Sequence, residues 1–186
     1  MNLFGKKALT LIALLILTAA ALVAAPDSKN DQSGVNADIA KKIHKELVTL
    51  PYYGIFDNLA YKIEGTTVTL YGQVTKPTTR SDAGRRIEQI QGVSHVVNNI
   101  EVLPLSPFDD SIRIRTYRTL FRAGGLFRYA MGTNPSIHII VKNGHVTLEG
   151  VVSTIGDSRL ANITANGVPG VFSVTNHLRI ENQGSR

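Results

Sequence analysis

Val68-Thr69-Leu70-Tyr71-Gly72-Gln73-Val74 returns as Val146-Thr147-Leu148-Glu149-Gly150-Val151-Val152, 78 positions further on, and this recurrence decides the fold. The same shift, without a gap, lays Ala83 on Ala161, Gly92-Val93 on Gly170-Val171, Val96 on Val174 and Asn98 on Asn176. A register held through a strand, a helix and a further strand marks a duplication, and its period is that of a domain rather than of a solenoid repeat. The chain therefore reads as two tandem copies of one small domain.

Within the first copy, Ile39, Ile43 and Leu47 share one helix face, with Asn36 placed as a cap and Pro51 as the stop. Leu59, Tyr61 and Ile63 alternate, as do Val68, Leu70 and Val74 beyond the turn at Gly65, which gives a hairpin with one buried face. Ala83, Ile87 and Ile90 return to helical spacing, and Val96, Ile100 and Val102 form a last strand. The second copy repeats this order with a helix from about Asp110 to Arg122, the type I′ turn signal Asn143-Gly144, a helix, and a strand from Phe172 to Ile180. The expected class is α+β: two tandem α-β-β-α-β domains, each a small three-stranded mixed sheet covered by two helices. The second strand must return through a helix to meet the third, so that pair can be parallel. Gly72 and Gly150 lie inside strands, where glycine needs a reason, and packing of the second helix against the strand is the natural one. The expected bounds are residues 36–103 and 109–182, a stiff linker at 104–108 around Pro104 and Pro107, and a tail at 183–186. The linker should make the domains touch or hold a restricted orientation.

Residues 1–25 read as a secretory signal, with Lys6-Lys7, an apolar run from Ala8 to Leu17, and small residues to Ala21 where cleavage fits. The alternative is an uncleaved inner-membrane anchor, since Ala8 to Ala25 is just long enough to begin spanning a bilayer. Either way the domains are exported, with a periplasmic location. The polar stretch at 26–35 has no apolar periodicity and reads as a disordered tether. With no cysteine, disulfides, thiolate metal sites and an acylated N-terminal cysteine are all excluded. The net charge of +6 includes Lys6 and Lys7; without them it is +4, which favours anionic partners mildly.

The pattern Val-Thr-Leu-x-Gly-x-Val, a helix, then Gly-Val-x-x-Val-x-Asn resembles the BON domain of bacterial envelope proteins. It occurs at Val68 to Val74 with Gly92 to Asn98, and again at Val146 to Val152 with Gly170 to Asn176. Gly72, Gly92, Asn98 and Gly150, Gly170, Asn176 are thus its structural motif residues. The resemblance implies a non-catalytic module that attaches to phospholipid membranes or envelope partners, in a two-copy exported protein of the osmotic-stress or envelope-maintenance type. The missing cysteine sets this chain apart from lipoprotein members, so any membrane affinity must come from surface contacts.

No nucleophile elbow, HExxH, phosphate loop or dinucleotide fingerprint occurs, so no enzyme activity and no cofactor are expected. The five histidines read as exposed or half-buried residues of strands and a helix, with no metal site. Asp109-Asp110 reads as a first-turn acidic pair rather than a general acid and base. Arg113, Arg115, Arg118, Arg122 and Arg128 form the densest basic cluster. Arg115, Arg118 and Arg122 share a helix face, with Tyr117, Leu120 and Phe121 expected in the core.

Leu126 and Phe127 in the adjoining loop would enter the acyl boundary of an anionic lipid surface while the arginines, Arg128 among them, meet headgroups. In the alternative reading the arginines are a solvated face and the loop packs on the first domain. Tyr52, Tyr53 and Phe56 occupy the equivalent loop of the first copy without arginines and read as a packing or partner surface, candidates for protein partners, rather than as a membrane contact. Nucleic acid could use the same arginines, but export counts against it and no nucleic-acid partner is expected. The expected function is peripheral attachment to anionic membranes through the second domain; the rivals are an adaptor for other envelope proteins and a small-ligand or cation-binding module.

Overall fold

The computed structural model describes residues 28–132 and 134–181, so the expected signal and the tail fall outside it. Each half carries the expected order. The first runs α1 (Ser28–Val48), β1 (Asn58–Glu64), β2 (Thr67–Val74), α2 (Pro77–Glu88), β3 (His95–Asn98) and β4 (Glu101–Val102). The second runs α3 (Pro107–Leu120), a 3-10 turn (Leu126–Ala130), β5 (Ile137–Lys142), β6 (His145–Val152), α4 (Ile155–Asn166), β7 (Ser173–Asn176) and β8 (Arg179–Ile180). Helix α1 starts at Ser28, so most of the stretch read as a disordered tether is helical. Among the described residues, no helix is long and apolar enough to cross a membrane.

In each sheet a hairpin pairs antiparallel and its second strand pairs in parallel with the strand that follows the helix. That last strand is broken in two: β3 and β4 both pair with β2, as β7 and β8 do with β6. The repeated asparagine sits at the break. Asn98 Nδ2 donates to Arg80 O of α2 at 2.8 Å, while its Oδ1 accepts from Ile100 N at 3.3 Å. Asn176 does the same, donating to Ser158 O of α4 at 3.1 Å and accepting from Leu178 N at 3.1 Å. One side chain thus serves the backbone groups freed by the interruption and ties the strand to the covering helix.

Two cores result. Ile39, Ile43, Leu47, Val68, Leu70, Ala83 and Ile87 meet in the first, and Ile112, Leu120, Ile139, Leu148, Ala161 and Ala165 in the second. The helical and alternating spacings of the sequence place these side chains inward as expected. Gly72 and Gly150 have a different cause from helix packing. Their φ angles are +113° and +121°, and a Cβ there would stand 2.0 Å from the carbonyl oxygen of Asn58 or Ser136 on the antiparallel neighbour. The close approach comes from the hairpin's own partner. The turn Asn143-Gly144 has positive φ at both residues, as its sequence requires.

The two halves dock through a loop of the first and an edge strand of the second. Ile139 N of β5 donates to Ile55 O at 2.8 Å, so residues 53–56 cover part of an edge that would otherwise present unpaired backbone. Phe56 packs on the second core and meets Tyr117 of α3 edge-on, with ring centres 6.3 Å apart. Lys142 pairs with Glu101 across the same junction.

Candidate functional site

Helix α3 presents the arginines. Ser106 caps it, its Oγ accepting from Asp109 N at 3.1 Å, and Pro107 fills the first turn. Ile112, Thr116 and Leu120 turn inward, which leaves Arg115 and Arg118 on the outer side and Arg122 just past the C-terminal cap, all three exposed. Among the described residues, no carboxylate lies within ion-pair distance of these three. The other two arginines of the cluster are committed elsewhere. Arg113 is buried, donates from Nη2 to Val141 O at 2.7 Å and pairs with Asp110. Arg128 donates to Asp157 at 2.7 Å and to the Tyr129 hydroxyl at 3.1 Å, so it braces its own turn rather than standing free. The Thr154 hydroxyl foremost, then Tyr129 and Arg128, hold the Asp157 carboxyl below its usual range. Asp109, read as a dipole-favouring residue, is almost fully buried, and its carboxylate accepts from Asn143 N at 2.9 Å and Gly144 N at 2.8 Å.

The apolar half of the expected site is corrected in one residue. Leu126 is 0% exposed and belongs to the second core, so it cannot enter a membrane. Gly124 and Gly125, at φ +43° and +84°, turn the chain into a 3-10 segment, whose three-residue period sends Leu126 and Tyr129 inward together. Phe127 faces out at 58% exposure, and Met131, four residues on, is also exposed. Tyr117, expected in the core, is partly exposed and bridges Phe56 and Phe121.

At the other end of the stripe lie two aromatic residues that the reading of the sequence missed. Phe108 and Phe172 are 47% and 70% exposed, with ring centres 6.0 Å apart. A methyl group at Gly170 would stand 3.0 Å from the Arg115 guanidinium and 3.7 Å from the Phe108 ring, so arginine and aromatic meet over that glycine. Phe108 lies two helical turns before Arg115, on its face, and Phe172 stands where the first copy has Ser94. Both signals are visible in the sequence once α3 is known to begin at Pro107. The surface is therefore a row of Arg115, Arg118 and Arg122 with exposed aromatic side chains towards each end.

The first-copy loop is used within the chain. Tyr53 stacks at 5.6 Å from His138 and Phe56 is taken up against Tyr117, so these two are an internal interface rather than a free partner surface. Tyr52 alone stays exposed, at positive φ with Lys76 Nζ 3.9 Å from its ring centre. Among the described residues no three His, Asp, Glu or Cys side chains gather as a metal-binding group.

A family model described as the BON domain matches residues 36–104 and 127–182. No curated protein matches the sequence. Among solved structures, one similar chain is the C-terminal domain of CdsD, the structural protein of the type III secretion system of Chlamydia trachomatis. It is 11% identical, with 77% of this chain and 98% of that chain covered, at a TM-score of 0.31. A second CdsD structure from the same organism gives 12% identity, 79% and 95% coverage, and a TM-score of 0.31. Likeness at that level carries no argument about role.

Proposed function

The chain belongs to the BON-domain family, in two copies, and from that premise we propose that it is a non-catalytic exported envelope protein that attaches peripherally to anionic phospholipid membranes through its second domain. BON domains are envelope-associated modules. The observation that carries the reading is the unopposed row of Arg115, Arg118 and Arg122 with exposed aromatic side chains towards its ends. Arginines near an anionic leaflet contribute about 1 kcal/mol each, and exposed rings add burial at the acyl boundary. Neither signal alone gives stable attachment. Membership of the family supports a role in osmotic stress or envelope integrity. The adaptor reading loses its main support, because the aromatic loop that suggested it is occupied within the chain.

Flotation of the exported chain with anionic and with zwitterionic vesicles tests this. Binding should be confined to the anionic vesicles and weaken with salt. Arg118→Gln with Arg122→Gln should lower affinity about 30-fold, at ~1 kcal/mol for each arginine. Phe127→Asp should weaken binding without loss of fold. If both variants keep a native circular dichroism spectrum and float like the parent, this face is not the membrane surface.

A further inference from the structure

His138 projects from the edge strand β5 into the first domain's loop. It is 9% exposed, its ring lies 5.6 Å from that of Tyr53, and its Nδ1 stands 3.3 Å from Gly54 O. A carbonyl only accepts, so Nδ1 carries the proton and a neutral ring leaves Nε2 bare. The loop that receives it is held by Asp57, a buried carboxylate that accepts from Gly54 N at 3.0 Å, Thr75 N at 2.6 Å and the Thr75 hydroxyl at 2.9 Å.

Two acids face the imidazole: Asp57 from the loop, and Glu149 of β6, its cross-strand partner. Each already has a partner elsewhere, and neither makes a hydrogen bond to the ring. Asp57 is engaged by those three donors, and Glu149 Oε1 lies 2.7 Å from His177 Nδ1, which reaches it from just beyond β7. Tyr53, the remaining titratable neighbour, stays neutral, pushed up to about 12 chiefly by burial and then by Asp57.

We propose that the seat of His138 in the Tyr53–Asp57 loop is an acid-operated latch between the two domains, closed while the ring is neutral and released by its protonation. This inference does not rest on the membrane reading. Residues 104–107 join the two domains, and the other ties across the junction are the Ile139–Ile55 hydrogen bond, the Phe56–Tyr117 contact and the Lys142–Glu101 pair.

Burial lowers the affinity of His138 for a second proton and outweighs the opposing pull of the Gly54 and Asp57 backbone and of the two carboxylates. The docked state thus binds fewer protons than the undocked one. Docking is fully favoured above the free imidazole's value of about 6.5 and weakens as pH falls below it, by at most tenfold per unit. The loss levels off once the docked ring also protonates.

The chain has no cysteine, so labels at Lys42→Cys and Arg159→Cys can report the distance between the domains in the full exported protein. At pH 7.5 a single short distance distribution is expected, and at pH 5 a second, longer population, with circular dichroism unchanged. His138→Phe should keep the short distribution at both pH values. The ring of His138, followed by NMR in the unlabelled chain, should titrate below the free imidazole. The proposal is overturned if the wild-type distances are the same at both pH values, if His138→Phe opens with acid as the wild type does, or if His138 titrates at or above the free value. Should His138→Phe be undocked already at pH 7.5, the ring titration decides between these outcomes.

Discussion

Gly150→Ala should destabilise the second domain by roughly 3 kcal/mol or more, although it adds a single methyl group. Positive φ alone costs a non-glycine residue of order 1–3 kcal/mol. The methyl would also stand 2.0 Å from Ser136 O, so the β5–β6 hairpin must part at that point. Calorimetry of the full chain should show a transition lowered by about 12 °C or more, at the ~4–8 °C per kcal/mol of a domain this size. Gly156→Ala is the control, because a methyl there meets nothing nearer than 3.5 Å and α4 favours alanine. A Gly150→Ala protein melting within ~2 °C of the parent would show that the strand needs no glycine.

Leu126→Asp should unfold the second domain rather than merely release it from vesicles. Truncating a fully buried leucine costs about 2–5 kcal/mol, and a carboxylate left there without a partner costs more. The affected core includes Ile139, Leu148 and Ala161, so the loss reaches the sheet and α4 together. Far-ultraviolet circular dichroism and limited proteolysis should report collapse of that half, whereas Phe127→Asp, one residue on, should leave both unchanged. Native proteolysis and melting of Leu126→Asp would mean that the 3-10 turn can rotate this side chain outward.

The duplication and the elements were legible because a strand of period two and a helix of period 3.6 write their burial directly into spacing. Val68, Leu70 and Val74, or Ala161 and Ala165, could face only inward. The role of Gly72 and Gly150 was not legible, since a glycine in a strand announces close approach without naming what approaches. Leu126 was misplaced for a related reason: a 3-10 turn has no signature in apolar spacing, and a leucine between glycines and a phenylalanine reads as loop. Arg115, Arg118 and Arg122 were legible from helical spacing, while the burial of Arg113 and the bracing role of Arg128 depend on Val141 O and Asp157, far along the chain. Phe172 was passed over at the point where the repeat departs from itself. A packing role for the aromatic loop and contact between the domains were legible, but the seat of residues 53–56 on β5 was not, because the two surfaces lie more than 80 residues apart.

That docking joins unlike surfaces of two like copies, a loop on one and a sheet edge on the next. Repeated unchanged, such a head-to-tail contact would add molecule after molecule, into a ring where its rotation closes and into a fibre where it does not. The sequence blocks this growth at both ends. The counterpart of Tyr53-Gly54-Ile55-Phe56 in the second copy is Met131-Gly132-Thr133-Asn134, without an aromatic ring to offer, and the counterpart of His138 in the first copy is Ala60, without an imidazole to insert. Divergence after duplication has made the joint specific to its own chain: the pair is a polymer that terminates at two.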